Sequence, residues 1–525
     1  MNMFKKIGTL LVSLSLLTGC SLVQNADSQK VFNFADSGYV TSLDSSVAID
    51  QTSTNVIQAF SDGLYAYNQE SKLKPAIAKS KTVSEDGKTY TFEIKKNAKW
   101  SNGDHVTAED FVYAWKRALS MHSEASKLLT SYGAAIEGAD DIYNGRKPAD
   151  TLGVYVKNKK LVVKLAYKTS RFMDLVTQPV FYPLNKKFVE KQGDKYATSP
   201  KTLLSNGTYE VTSISKKKIS LKKNTKSYFS NKSNIDVVNM YFGIGNEEKI
   251  KLFDEGKIDF ASVTGENAKK YNGKDSSSTE DDSIMWDLVP NFKDQFLSDI
   301  RVRQAISSLL NRKKYNRQVL HDGSKKAEGL LPMGICFNSN KKFIRDASTY
   351  KLKYRKKEAK KSLNKLLKEY KLKQFTFTLS YTSQYPQSKV IASKIKENLE
   401  ATKQIKVYLK EVNEIDYDQA ELSLLRINPV CNDAYDYLAP LAINNQGINH
   451  YSNATFNNYF NSAVSAKDQD ERFYAFANAE RVAMSDYALI PVVQQGQRYL
   501  INMSVSDLIC NFCGAPYSFR YMNMR

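Results

Sequence analysis

Histidine is the side chain best suited to moving a proton near neutral pH, and this 525-residue chain has four: His105, His122, His321 and His450. No two stand in the HExxH spacing that would place a zinc pair on one helical face. Cys510 and Cys513, in the run CNFC, have the separation of redox and metal pairs. No second such pair and no nearby histidine completes a tetrahedral zinc site, so a local bridge or two free thiols is the alternative. The 23 glycines supply no phosphate loop. No pair five apart is followed by lysine, Gly243-Ile-Gly245 lacks a third glycine three positions on, and no pair is four apart as a GxSxG elbow requires. ATP, dinucleotide and serine-hydrolase chemistry therefore have no motif here, and no cofactor or metal is implied. An enzyme whose groups converge from distant positions is not excluded by this, but none is expected.

The elements that would position any site start at the N-terminus. Lys5 and Lys6 precede eleven mostly apolar residues, Ile7 to Leu17, and small residues follow before Cys20, the layout of a secretory signal peptide. The run falls short of the roughly 20 residues that span a bilayer. An ordinary signal peptide needs no cysteine at its end. Leu17-Thr18-Gly19-Cys20 resembles the lipobox of bacterial lipoproteins, in which a diacylglycerol is attached to the thiol before cleavage. That resemblance makes 1–19 a signal peptide and Cys20 a lipidated N-terminus. The chain would then sit on the extracytoplasmic face of the cell membrane, as in a Gram-positive bacterium, anchored by lipid because no later apolar run approaches spanning length.

A lipid anchor is helped by a second signal. The formal charge of +21, or +19 once Lys5 and Lys6 are cleaved away, would attract anionic head groups or wall polymers, or serve solubility alone. The same charge suits nucleic acid, but export argues against that partner. In the densest basic stretch, from Tyr354, the residues Ala359, Leu363, Leu366, Leu367 and Tyr370 recur at helical spacing, so the lysines read as a solvated face. Four cysteines, Cys336, Cys431, Cys510 and Cys513, remain after Cys20. They allow three disulfide pairings, too few to frame so large a chain.

Such a length predicts two or three domains, and 42% hydrophobic residues with 32 tyrosines predict globular folding. After a polar linker near Ser21–Lys30, strands and helices mix. Tyr90, Phe92 and Ile94 alternate with polar residues, a half-buried strand entered through the Asp86-Gly87 turn. Asn102-Gly103 makes the next turn. Thr107 then stands three before Asp110, a helix start, with Phe111, Trp115 and Ala118 on one face. Further on, Phe375, Phe377, Leu379 and Tyr381 alternate; Ile391, Ile395 and Leu399 recur every four; Ile405, Val407 and Leu409 alternate again. Strand, helix, strand is the unit of a parallel pair.

Trp100, Gly103, Thr107, Ala108, Asp110, Phe111, Trp115 and Arg117 resemble the characteristic segment of the extracytoplasmic solute-binding proteins of ABC importers, family 5, in the oligopeptide-binding branch. "DGLY" at 62–65, "SNGTYEV" at 205–211, "DIRVRQAISSLLNRKKYNRQVL" at 299–320 and "GAPYSFRYM" at 514–522 extend the resemblance over most of the chain. It implies an α/β, bilobed fold of the periplasmic-binding-protein type (type II, cluster C) with an extra domain. The first lobe would comprise 31–58, 196–285 and 495–525, the inserted domain 59–195 and the second lobe 286–494, with 20–30 as lipidated N-terminus and linker.

The resemblance also implies the site. Around "NPVCNDAYDYLAP", residues 428–440, Asp433 matches the aspartate that pairs with the free ammonium of a bound peptide, and Asp436 matches a second acidic position. A cationic amine closed off from water needs such a partner, because an unpaired buried charge costs several kcal/mol. Val430, Ala434 and Tyr437 depart from the tryptophan, tyrosine and proline usual there, altering the pocket walls. Asn311 stands where aspartate is frequent, in a helix expected to be structural. Pro429, Val430 and Cys431 would supply one backbone edge to an extended peptide, although Pro429 lacks a donor, and Asp50, Gln51 and Thr52 the other. Main-chain recognition with water-filled side-chain pockets would give broad specificity. The implied function is capture of oligopeptides by a monomer and delivery to a membrane permease driven by separate cytoplasmic ATPases. The alternatives are a receptor for one signalling peptide, or an exported lipoprotein enzyme or chaperone on the same fold.

Overall fold

The computed structural model describes residues 29–525 except 71, 170, 333–334, 339–340, 343–351, 432, 443–446, 467–468 and 512–515. The signal peptide, Cys20, most of the linker and Cys513 lie outside the described residues. No helix among the described residues is long and apolar enough to cross a membrane.

The chain folds as mixed α/β around one eleven-stranded sheet. Two long antiparallel strands, Ser277–Pro290 and Ile490–Ile501, form its middle. On one side of them the order runs Phe260–Val263, Val31–Ala35, Val237–Tyr241, Lys218–Lys223, Tyr209–Ile214. On the other it runs Leu422–Ile427, Phe375–Thr382, Ile405–Val412, and the eleventh strand, Lys325–Lys326, pairs off this path with Ile490–Ile501. Val31–Ala35 pairs parallel with both of its neighbours, as does Phe375–Thr382. The strand–helix–strand read from the periodicity at 375–409 is present, with Pro386–Glu400 as the crossover helix and Ile391, Ile395 and Leu399 fully buried.

The two long strands do not keep one register. Asp281 faces Gly496 and Met285 faces Gln494, so three residues on one strand oppose a single residue, Gln495, on the other; a second shift follows at Trp286/Asp287. Bulges bend and twist the strand that carries them, so the sheet changes direction where its two halves meet. Gly496 is required there: a Cβ would stand 2.4 Å from the Gly323 carbonyl carbon. The boundaries expected at 285/286 and 494/495 fall on these bulged strands.

Residues 64–204 contribute a separate apolar core, from Leu64 to Leu204, including Trp100, Phe111, Trp115, Phe172 and Phe181. It is covered by a four-stranded antiparallel sheet ordered Ala78–Val83, Thr89–Ile94, Lys160–Lys164, Val154–Lys157. The helix Ala108–Ser120 starts where the Thr107/Asp110 pattern places it, the Thr107 backbone N–H donating to Asp110 Oδ2 at 2.9 Å. The basic helix Lys356–Glu369 buries Ala359, Leu363, Leu366 and Leu367 and leaves its lysines outward. One expectation is corrected. Asn311 lies beyond the helix Ile300–Leu309 rather than within it, and its backbone N–H donates to Asn398 Oδ1 at 2.6 Å.

Candidate ligand-binding site

The loop 429–436 follows the strand Leu422–Ile427 and meets the 64–204 core. Val430 packs against that core, and its carbonyl accepts from Gln178 Nε2 at 3.1 Å. The Val430 N–H donates to Asp436 Oδ2 at 2.9 Å, and the Cys431 carbonyl accepts from the Asp433 N–H at 2.8 Å. In this conformation both main-chain groups of Val430 therefore have partners within the chain. Tyr437, the residue standing for a family proline, donates its buried hydroxyl to the Ser283 carbonyl at 2.6 Å, tying the loop to the bulge in the long strands.

Both aspartates of the loop are buried beside guanidinium groups. Arg472, from the helix Gln469–Ser485, grips Asp433 with two parallel bonds, Nε to Oδ2 at 2.9 Å and Nη2 to Oδ1 at 2.7 Å, the fork geometry that makes such pairs strong. Burial pushes the Asp433 carboxyl upward, but Arg472, with help from Arg171 and the Tyr435 N–H, holds it below the ordinary carboxylate value. Asp433 thus stays ionised although it is almost excluded from water. Asp436 is bound by Arg171 Nη2 at 2.5 Å, and burial raises its carboxyl against the pull of Arg171.

Arg171 crosses from the 64–204 core to the loop. It also reaches Cys431 Sγ at 3.5 Å and the Tyr132 carbonyl at 3.1 Å, and its guanidinium lies 4.3 Å from the Tyr435 ring centre. Tyr132 and Tyr435 meet edge-on beside it. The Cys431 thiol is free and, raised well above its ordinary value by burial, remains protonated and unreactive. Cys510 is free as well, and burial pushes its thiol up to about 12.

The other expected edge is built differently. Asp50 is the N-cap of the helix Gln51–Phe60, its Oδ1 accepting from the Ser53 N–H at 2.8 Å, while Thr41 Oγ1 donates to Oδ2. Gln51 sits half-buried in the first turn, and Thr52 donates to Asp36 Oδ2 at 3.2 Å. Among the described residues, no hydrogen bond or ion pair joins this set to the 429–436 loop. A cavity of about 430 Å3 opens beside the long strands, bounded by Ser278, Glu280, Tyr499, Gln69 and Leu508–Cys510.

Arg171, Arg472 and Gln178 were not legible as site residues. One signal pointed their way: only 15 of the 76 basic residues are arginine. Six arginines but two lysines are buried among the described residues, as expected from the weaker hydration and fixed fork of the guanidinium.

Residues 72–449 match the bacterial extracellular solute-binding proteins, family 5. The chain belongs to that family. As a family 5 protein it is a solute-binding protein and not an enzyme. It is 26% identical over 494 residues to the dipeptide-binding protein DppE of Bacillus subtilis, covering 92% of this chain and 90% of that one. It is 30% identical over 399 residues to a dipeptide-binding protein of Lactococcus lactis, covering 72% and 71%. Listeria monocytogenes OppA, solved bound to peptide, superposes with a TM-score of 0.80 at 27% identity, over 95% of this chain and 99% of that one. The bilobed α/β fold read from the sequence is the fold of these neighbours.

Proposed function

We propose that this family 5 protein captures oligopeptides in the cleft between its two lobes and delivers them to an ABC-type permease, with the chain tethered outside the cell membrane through a lipid on Cys20. The observation that carries this reading is the charge at the 429–436 loop. Asp433, Asp436 and the neighbouring Asp174 bring three carboxylates to a buried set that holds two guanidinium groups, Arg171 and Arg472. Burial raises the Asp436 and Asp174 carboxyls, and a peptide's N-terminal ammonium arriving beside them would favour their ionised forms and pair with the charge. On Asp433, Oδ1 already accepts from Arg472 and from the Tyr435 N–H, whereas among the described residues Oδ2 accepts from Arg472 alone. The second lone pair of Oδ2 is the acceptor available to an ammonium. Asp436 supports the loop through the Val430 N–H.

The names of the relatives, dipeptide- and oligopeptide-binding proteins, support the ligand class. Capture would proceed by rotation about the bulged strands, with the monomer closing on the peptide and the closed form docking on the permease. Main-chain contacts at Pro429–Cys431 and Asp50–Thr52 would form only once the present internal partners of Val430 yield. The test is to purify the chain natively, denature it and identify what it releases by mass spectrometry. A ladder of unrelated peptides is the expected result. One dominant peptide would favour a signalling receptor, and a metal, haem or sugar with no peptide would refute the reading.

A further inference from the structure

The charge of this chain is not spread evenly. Between Lys353 and Lys373 ten lysines and arginines stand against two carboxylates, Glu358 and Glu369, and all ten cations are exposed. The helix Lys356–Glu369 turns Ala359, Leu363, Leu366 and Leu367 into the core around Phe375 and Phe377, which leaves Lys357, Lys360, Lys361, Lys365 and Lys368 along its outer face. Glu369 is occupied by Arg301, whose Nη2 donates to Oε1 at 2.7 Å. Among the described residues, none of the ten cations has a carboxylate within ion-pair distance. The helix Pro386–Glu400, packed into the same core, is built otherwise: Lys394 meets Glu397 at 2.7 Å and Lys396 meets Glu400 at 3.7 Å. Solubility is served by both signs of charge interspersed, and lysines three and four apart on one face oppose the helix that carries them. A solvated face accounts for lysines that point outward, but not for their concentration or for the missing counter-charges.

We propose that the outer face of Lys356–Glu369, with the flanking cations from Lys353 to Lys373, is a docking surface for the anionic head groups of the membrane to which the chain is tethered. The assignment rests on the Cys20 anchor of the reading above. The strand Val31–Ala35 follows the linker directly, and five strand spacings, about 24 Å, separate it from Phe375–Thr382, which shares its core with the basic helix. The ten residues from Ser21 to Lys30 reach up to about 35 Å, so the anchor leaves the ridge free to meet the same surface. Each lysine held within a Debye length of an anionic bilayer adds to the attraction. A protruding ridge meets a plane of head groups directly, whereas a single polyanionic strand is held in a groove. Two attachments, a lipid before the first strand and the ridge across the sheet, would fix which side of the chain turns to the membrane.

Flotation of the mature chain, made without its lipid, on vesicles of equal parts phosphatidylcholine and phosphatidylglycerol tests this. Wild type should bind these vesicles and not phosphatidylcholine alone, and added salt should release it. The combined variant Lys357→Gln, Lys361→Gln, Lys365→Gln and Lys368→Gln should lose about tenfold or more in affinity, with no fall in melting temperature, because like charges leave one helix face. A control, Lys81→Gln, Lys157→Gln, Lys160→Gln and Lys187→Gln, removes as much charge from exposed lysines elsewhere and should stay within about twofold of wild type. Equal losses in the two variants, or no vesicle binding by wild type, would overturn the proposal. Binding to soluble poly(glycerol phosphate) but not to vesicles would overturn it as well and give the ridge to a wall polymer. Vesicle binding through the ridge, with mass spectrometry finding no diacylglycerol on Cys20 of the cell-derived protein, would remove the anchor and leave the docking surface standing.

Discussion

The two expected walls of the cleft hold their acidic residues in opposite ways. In the 429–436 loop, Asp436 finds its cation 265 residues away in Arg171, and Asp433 finds its own 39 residues away in Arg472. At the other wall, Asp50 is satisfied by Ser53, three residues on, and by Thr41, nine residues back. The first arrangement exists only while distant parts of the chain are docked; the second exists wherever the helix Gln51–Phe60 forms. A charge held across an interface ties the loop to the docking of the elements that supply its cations. A charge spent on a helix cap stabilises one element and nothing beyond it.

Removing Arg171 should disturb the first wall most. Arg171→Met keeps a long apolar stem against Tyr435 but leaves Asp436 buried without its cation, a change that costs about 3–5 kcal/mol. The expected outcome is a drop of that order in the denaturant-derived unfolding free energy, or an expanded radius of gyration in ligand-free solution scattering if the cleft opens to hydrate Asp436. Adding Asp436→Asn should recover at least half of the loss, since no charge is then stranded. Strict additivity of the two changes, with an unchanged radius, would mean that the pair does not hold the lobes together.

The difference between the walls also explains what could be read in the sequence. Whatever is fixed within a few residues was legible: the Thr107/Asp110 start, the Asp86-Gly87 turn with Gly87 at φ 71°, the alternation at 90–94, and the buried stripe Ala359–Leu367. The parallel unit at 375–412 was legible because two periods alternate in order. The partners of Asp433 and Asp436 were not, because an ion pair between elements leaves no periodicity in either of them. The loop could be located by its resemblance to the family, but that Val430 would spend its N–H on Asp436 and its carbonyl on Gln178 depends on a docking no local pattern encodes. Nor does any local pattern mark the three-against-one bulge at 282–284, since Asp282, Ser283 and Ile284 continue an ordinary strand-like run.

That bulge offers a second, smaller perturbation, which asks whether the network of the loop extends to the long strands. The Asp282 carboxyl accepts from Gln497 Nε2 at 2.6 Å, and burial pushes it up to about 6, with the field of Arg426 and the Gln497 bond opposing. A raised carboxyl holds its proton more tightly in the folded chain than in the unfolded one. Its contribution to stability is therefore full below about pH 4, declines as the pH rises towards 6, and is level above. Two pH units correspond to about 3 kcal/mol. Asp282→Asn should flatten this decline, measured as the difference in unfolding free energy between pH 4 and pH 7. Asp110, also pushed up to about 6 by burial, should leave a residual slope of the same sign. An undiminished slope in Asp282→Asn would place the titration elsewhere.

The smallest effect belongs to the second wall and is the most direct test of the contrast. Asp50→Ala removes a side-chain acceptor from the first turn of Gln51–Phe60 and should cost about 1 kcal/mol of stability, the usual worth of an N-cap. Because Asp50 spends its oxygens on Ser53 and Thr41, the affinity for a peptide released from the native protein should change less than twofold. A tenfold loss of affinity with the same modest loss of stability would break the comparison. The cap would then be serving the ligand through the Asp50–Thr52 backbone, and both walls of the cleft, not the 429–436 loop alone, would carry recognition.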